Sequence, residues 1–451
     1  MARLFGTDGV RGVANTELTG ELAFRLGRAG AYVLTKETKH APRILVAMDT
    51  RISGDMLESA LVSGICSVGA HAVVAGVIPT PAVAYLVRKY RLDAGVMISA
   101  SHNPVEYNGI KFFNNQGYKL SDALEDEIEN IIMSHPEILP SPTGIGLGTK
   151  EYAEDALDDY IAFLTRTTTE KFDGIKVALD CANGAAYKAA PIAMLDLGAS
   201  LCIIHNEPDG TNINDKCGST HMDDLKEMVV KNGADIGFAF DGDADRCLAV
   251  DEKGNLIDGD KILAICGLDM KERGALAKDT IVGTVMSNLG LTMMGKEKDI
   301  HILQTSVGDR YVLERMLADG YNIGGEQSGH VILLHHATTG DGELTAGKLL
   351  KLLAESGKKM SELNGIYAQY PQVLVNVTAN AAQKAAYKED EVLAGFIENE
   401  QQKLMGMGRV LVRVSGTEPK IRVMVEGQDL DAIHRCADRI VDKINKRILG
   451  Q

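Results

Sequence analysis

The sequence predicts an α/β protein built as three related α/β units with mixed or parallel sheets, followed by a smaller α+β domain. Three observations predict it. Three stretches, 43–51, 175–183 and 280–288, are Val/Ile/Leu-rich strands ending in polar loop residues. Each leads through a helical segment to a second apolar run, beginning at Gly69, Gly198 and Asp299. A strand, a helix and a strand within about 30 residues is a βαβ unit, which implies parallel pairing. The last 80 or so residues differ. The runs VLVNVT, RVLVRVSGT and IRVMVEG precede a terminal helix from about Asp431, the pattern of an antiparallel sheet with a helix.

The length of 451 residues allows three or four domains at about 150 residues each. The Pro/Gly-rich stretch 134–150 closes the first unit. It follows a helix on which Leu124, Ile128, Ile131 and Ile132 share a face, with Asp122 and Glu125 fitting a capping box. Further boundaries fall near 252–261 and 366–372. The expected domains are 1–145, 151–254, 255–368 and 371–451.

Composition excludes several classes. Trp is absent and the formal charge is −15, which argues against nucleic acid or an anionic membrane as partner. No run of about 18 apolar residues exists, so no membrane span is expected. Seven cysteines without a CxxC pair read as reduced thiols. Cys66, Cys181, Cys202, Cys247 and Cys266 stand in apolar surroundings and are expected to be buried. The N-terminus lacks a signal-peptide profile, and the expected location is the cytoplasm.

Four stretches carry chemistry. In FAFDGDADRCLAV (238–250), Asp241, Asp243 and Asp245 alternate with small residues, and residues two apart in extended chain point the same way. Three carboxylates at the end of a buried strand repel one another unless a cation lies between them, and oxygen-only ligands suit Mg²⁺ before Mn²⁺ or Ca²⁺. A solvated acidic turn is disfavoured by the apolar flanks. An EF-hand is disfavoured because Arg246 stands where the loop needs Gly.

In GVMISASHNP (95–104), Ser101 follows a buried strand in a tight polar loop. An ion held by three Asp suits a phosphate, and a phosphorylated Ser101 would supply a fourth ligand oxygen and require nearby cations. Arg11, Lys111 and Arg246 are the candidates. In RVSGTEPKIRV (413–423), backbone N–H groups and the hydroxyls of Ser415 and Thr417 join Arg413 and Arg422 in an anion site, with a plain hairpin turn as the alternative. In GGEQSGH (324–330), Glu326, Ser328 and His330 stand on a Gly-framed loop, either a sugar-hydroxyl site or an ordinary polar loop.

Together SHNP, DGDADR, GEQSGH and RVSGTEP, preceded by FGTDGVRG at 5–12, resemble the α-D-phosphohexomutase superfamily over essentially the whole chain. FGTDGVRG and Gln327 favour the branch that acts on amino sugars. The loop 306–310, SVGDR, lacks the His that relatives acting on glucose or mannose phosphates carry there.

The resemblance implies four domains around a central cleft. Ser101 is the implied phosphoserine, and it would join Asp241, Asp243 and Asp245 in binding one Mg²⁺. Glu326 and Ser328 would bind sugar hydroxyls. Arg413, Ser415, Gly416, Thr417 and Arg422 would bind the substrate's phosphate. Lys111 and His330 would help move the hydroxyl proton.

The implied reaction interconverts glucosamine 6-phosphate and glucosamine 1-phosphate through a sugar bisphosphate, and supplies UDP-N-acetylglucosamine synthesis. Glucosamine or glucose 1,6-bisphosphate would prime the enzyme. The partner is a small hexosamine phosphate, with a homodimer compatible. A mutase for glucose or mannose phosphates, a non-enzymatic sugar-phosphate sensor and a Mg²⁺ phosphatase are the alternatives.

Overall fold

A computed structural model describes residues 3–6, 8–168, 170–404, 408–415 and 419–450. They form two compact units, one of Met1–Met286 with Ile300–Ile366, the other of Ser287–Asp299 with Tyr367–Gln451.

The first unit holds three sheets. The first contains β1 (Val10–Val13), β2 (Arg43–Met48), β3 (His71–Val77), β4 (Ala94–Ile98), β5 (Tyr107–Asn114) and β6 (Lys150–Tyr152), in the order β1-β5-β4-β2-β3-β6. β4, β2, β3 and β6 are parallel, while β5 runs antiparallel to β4 and β1. The helices Gly20–Thr35 and Gly54–Ser67 bury a Leu/Ile/Val/Ala core against it.

The second sheet has β7 (Lys176–Asp180), β8 (Ser200–Ile204), β9 (Ile236–Phe240), β10 (Cys247–Asp251) and β11 (Leu256–Ile257), ordered β11-β10-β9-β7-β8. β7 is parallel to β8 and β9, and β9–β10 is an antiparallel hairpin. The third has β12 (Thr280–Thr284), β13 (His301–Thr305), β14 (Ile323–Gly325) and β15 (Val331–Leu333), ordered β13-β12-β14-β15. The three expected pairs are thus β2/β3, β7/β8 and β12/β13, all parallel.

The second unit packs helix Leu430–Ile444 on β16 (Gln372–Thr378), β17 (Gly408–Val414) and β18 (Lys420–Gly427), an antiparallel sheet with β18 central. It also takes residues 287–299, where the Leu289 N–H donates to Glu426 at 3.0 Å and Asn288 donates to the Tyr370 carbonyl at 3.0 Å.

Two expectations change. Helix Asp122–Ser134 begins one residue after Ser121, and no Asp122–Glu125 box forms. The Glu125 carboxylate instead accepts from Arg3 at 3.3 Å, a partner 122 residues away that local sequence cannot reveal. All seven cysteines are free, but Cys66 and Cys202 are only half-buried, because Cys66 lies in the last turn of helix Gly54–Ser67 and Cys202 on the edge strand β8. Among the described residues no helix is long and apolar enough to cross a membrane.

Candidate active site

Parallel strands align their C-terminal ends along one edge, and loops leaving that edge are where α/β sheets place ligands. Here the edge of the first sheet supplies Asp49–Arg51 after β2, Thr80 after β3 and Ser101 after β4. The hairpin loop 241–246 between β9 and β10 comes from the second sheet, and 326–330 between β14 and β15 from the third.

Ser101 Oγ donates to Asp241 Oδ2 at 2.6 Å. Ser101 is 1 % exposed, with a left-handed backbone (φ 53°) that costs energy for any residue with a Cβ. The surrounding bonds hold it there. The Ser101 N–H donates to Ser99 Oγ at 2.9 Å, and Ser99 Oγ donates to Asp49 Oδ2 at 2.6 Å. Asp49 forms a fully buried ion pair with Arg51 at 2.9 Å. The Arg51 guanidinium then donates to the carbonyls of Ser101, Asn103, Pro104 and Tyr107. Asn214 Nδ2 adds bonds to the Ser101 and Asn103 carbonyls at 2.9 and 3.1 Å. Composition gave no reason to single out Arg51, Asp49 or Asn214, since their roles exist only once distant loops meet.

The Asp trio is one cluster, with oxygens of Asp241, Asp243 and Asp245 all within 4.8 Å of one another. Asp243 Oδ2 accepts from Thr80 Oγ1 at 2.6 Å and Lys111 Nζ at 2.7 Å. Asp243 Oδ1 and Asp245 Oδ1 are buried and accept no hydrogen bond. Burial, then the Asp245 and Asp243 charges, push the Asp241 carboxyl well above the ordinary range. Burial acts the same way on Asp245, but His330, Lys111 and Arg246 more than offset it and hold that carboxyl low. Two buried oxygens without a donor beside a third carboxylate that resists ionising fit a hard divalent cation.

Basic groups surround the trio. Lys111, 1 % exposed, lies between Asp243 at 2.7 Å and Asp8 at 3.0 Å. Burial lowers its pKa, but Asp243 and Asp8 outweigh this and raise it, so it is a fixed cation. Asp8 also pairs with Arg11 and with Lys119, and Lys119 reaches Asp309 at 2.6 Å. Arg246 Nη1 bonds His102 Nδ1 at 3.2 Å. Burial, with Arg246 and Arg11 nearby, pushes His102 down to about 4, so the ring is a neutral acceptor.

His330 is fully enclosed. Its Nδ1 lies 3.5 Å from Asp245 Oδ2, its Nε2 lies 3.6 Å from Asp309 Oδ2, and the Gly340 N–H donates to Nε2 at 3.0 Å. Both ring nitrogens face partners inside the protein. Glu326 Oε1 accepts from the Gly308 N–H at 2.9 Å, and Ser328 is exposed beside it. Gln327 Nε2 turns away to Asp258 Oδ2 at 3.2 Å, at the start of helix Gly259–Glu272.

The main chains of the two central loops touch. A Cβ on Gly242 would lie 2.6 Å from the Ser101 carbonyl oxygen and 2.8 Å from Asn214 Nδ2. Behind it, the Gly242 carbonyl accepts from the Ala185 N–H at 2.8 Å.

In the second unit, Arg413 and Arg422 sit directly opposite on β17 and β18. Burial and the Arg422 charge lower the Arg413 pKa. Like charges so placed repel unless an anion joins them. Ser415, buried at 4 %, begins the connecting loop. Gly416 and Thr417 lie outside the described residues.

Four family models match the chain. They are the phosphoglucomutase/phosphomannomutase alpha/beta/alpha domains I (residues 2–138), II (156–254) and III (258–370), and the C-terminal domain (374–443). The phosphoglucosamine mutase of Ruminiclostridium cellulolyticum is 62 % identical over 448 residues, covering 99 % of this chain and 100 % of the relative. That of Acetivibrio thermocellus is 58 % identical with the same coverage. Among solved structures, a phosphoglucomutase/phosphomannomutase family protein from Burkholderia thailandensis aligns over 98 % of both chains with TM-score 0.83 and 24 % identity. Aspergillus fumigatus N-acetylphosphoglucosamine mutase, in complex with GlcNAc-6P and magnesium, aligns over 99 % and 96 % with TM-score 0.70 and 16 % identity.

Proposed function

This chain belongs to the phosphoglucomutase/phosphomannomutase family, and we propose that Ser101 is the residue through which it moves a phosphoryl group. The chain is a phosphoglucosamine mutase, an isomerase that interconverts glucosamine 6-phosphate and glucosamine 1-phosphate. The observation that carries the proposal for Ser101 is its buried hydroxyl, 2.6 Å from a carboxylate of the Asp trio.

Asp241, Asp243 and Asp245 would hold Mg²⁺, which when bound would neutralise phosphate oxygens during transfer. The protein does the rest. Arg51 and Asn214 fix the serine loop so that Oγ stays aimed at the trio. Lys111 and Arg246 add positive charge where a phosphate on Ser101 would lie, and Arg11 holds Asp8 beside Lys111. Glu326 and Ser328 receive sugar hydroxyls. The segment holding Arg413, Ser415, Gly416, Thr417 and Arg422 receives the phosphate that is not reacting.

From phospho-Ser101 the phosphoryl group passes to the free hydroxyl of the sugar monophosphate: the Oγ–P bond breaks, the sugar O–P bond forms, and the hydroxyl proton ends on Ser101 Oγ, leaving glucosamine 1,6-bisphosphate. The other phosphate then returns to Ser101. In this scheme the segments 1–145, 151–254, 255–368 and 371–451 supply the serine, metal, sugar and phosphate sites in turn.

The test incubates purified protein with Mg²⁺ and a labelled hexose 1,6-bisphosphate, followed by intact-mass and peptide mapping. One phosphoryl group on Ser101, competent to pass to glucosamine 6-phosphate, is expected. Label on another residue, or its release only as inorganic phosphate, would overturn the assignment.

A further inference from the structure

A second group of ligating side chains lies at the end of β7, apart from the Asp trio. Asp180, His205 and Cys217 each offer a donor atom, and the three atoms lie within 4.8 Å of one another. Asp180 and Cys217 are fully buried, while the His205 side chain is a quarter exposed and opens the cluster to solvent.

The detailed geometry points to a shared ligand. His205 Nδ1 lies 3.0 Å from Asp180 Oδ2, and the Asp180 and Asp224 carboxylates on either side of the ring raise its pKa. A carboxylate oxygen, an imidazole nitrogen and a thiol sulfur that converge within 4.8 Å can all reach one ion. The other ring nitrogen, Nε2, faces Asp224 Oδ2 at 3.3 Å. A carboxylate behind the free nitrogen is how metal-binding histidines are oriented. Asp180 is itself anchored, with Oδ1 accepting the Ala182 N–H and Oδ2 the Gly218 N–H, both at 2.9 Å. His205 is held in a left-handed backbone (φ 48°), as are Ala182, Asn214 and Lys216 around it. Such strain persists only where the surroundings impose it.

We propose that Asp180, His205 and Cys217 bind a borderline-soft divalent cation of the zinc class, with a water completing a four-coordinate site. One oxygen, one imidazole and one sulfur suit Zn²⁺ or Co²⁺ and do not suit Mg²⁺. On binding, the thiol must ionise and the imidazole must give up any proton on Nδ1: the S–H and Nδ1–H bonds break, sulfur and nitrogen bond the metal, and the protons leave to solvent. Without a cation that ionisation is disfavoured, since burial and the charges of Asp180, Asp215 and Asp224 push the thiol up to about 12. The same three carboxylates make the cluster attractive to a cation.

The site has a position in the enzyme's architecture. His205 and Cys217 are the two ends of a loop whose residue Asn214 donates to the Ser101 and Asn103 carbonyls. An ion joining both ends to β7 restrains that clamp.

The test uses the full chain titrated with Co²⁺ in excess Mg²⁺. One Co²⁺ per chain with a thiolate-to-cobalt charge-transfer band and tetrahedral visible bands is expected. The band should vanish in Cys217→Ser and persist in Asp243→Asn, with circular dichroism checking each fold. Asp224→Asn keeps all three ligands and should weaken Co²⁺ binding roughly 10–100-fold. No thiolate band, a band that survives Cys217→Ser, or one lost in Asp243→Asn would overturn the proposal. None of these readouts depends on the role of Ser101.

Discussion

Arg51 Nη2 donates to the carbonyl oxygen of Ser101 at 2.9 Å, from 50 residues earlier in the chain. The serine's left-handed backbone is therefore held in part by a guanidinium whose own charge is balanced by Asp49.

Arg51→Ala should be severe. It leaves the Asp49 carboxylate buried without its cation and removes donors from four carbonyls. Breaking a buried pair costs about 3–5 kcal/mol. Thermal unfolding should show a large drop in the midpoint. Asn214→Ala removes only neutral bonds, about 1–3 kcal/mol, so the fold should survive while turnover falls; an unchanged turnover would contradict the clamp.

Asp243→Asn tests the trio. The change should weaken Mg²⁺ binding and lower kcat on the order of 100-fold or more, as loss of a group stabilising transition-state charge does. It also leaves Lys111 with Asp8 as its remaining carboxylate within pairing distance. Mg²⁺ titration by calorimetry separates the binding effect from any loss of fold.

Removing the cation should destabilise the protein as well as stop it. Mg²⁺ relieves repulsion among buried carboxylates only in the folded state. Linkage then predicts about 2.7 kcal/mol of stabilisation at a concentration a hundred times Kd. A melting point indifferent to EDTA and to added Mg²⁺ would contradict a metal at this trio.

Asp341 gives a pH effect. It caps helix Gly342–Ser356 and accepts from Tyr160 Oη at 2.9 Å, and burial pushes its carboxyl up to about 6. The folded state therefore binds the proton more tightly than the unfolded state does. Stability from this group is complete below the ordinary carboxyl pKa and is lost as pH rises through about 6. The difference is on the order of 3 kcal/mol. Asp341→Asn keeps the cap and cannot ionise. Relative to that variant, the parent should lose stability in urea melts between about pH 4 and pH 7; parallel curves would refute the assignment.

Arg413→Gln should raise KM for glucosamine 6-phosphate about 10–100-fold, the scale of a lost charged hydrogen bond of about 1.5–3 kcal/mol. Labelling of Ser101 by bisphosphate in excess should be retained, and steady-state kinetics with intact mass reads both.

Much of this was legible from local pattern. DGDADR between two apolar runs fixed the hairpin loop of β9 and β10, and the apolar run before Ser101 fixed β4. What local pattern could not reach is set by partners far along the chain. Asn214 meets Ser101 across 113 residues, and Lys119 meets Asp309 across 190. Glu125 looked like a helix cap because its spacing fits one, yet Arg3 competes for it successfully. The partners of both His330 nitrogens, Asp245, Asp309 and the Gly340 N–H, are likewise set by packing that local sequence does not show.

Gly242 places the carbonyl of the serine loop where a methyl group would have to go. The gap between Ser101 and the aspartate hairpin is consequently gauged by bare backbone, with no side chain able to act as a shim. Alanine at this one position would be a wedge a single carbon thick, prising Ser101 from Asp241 while leaving every reacting group in the protein.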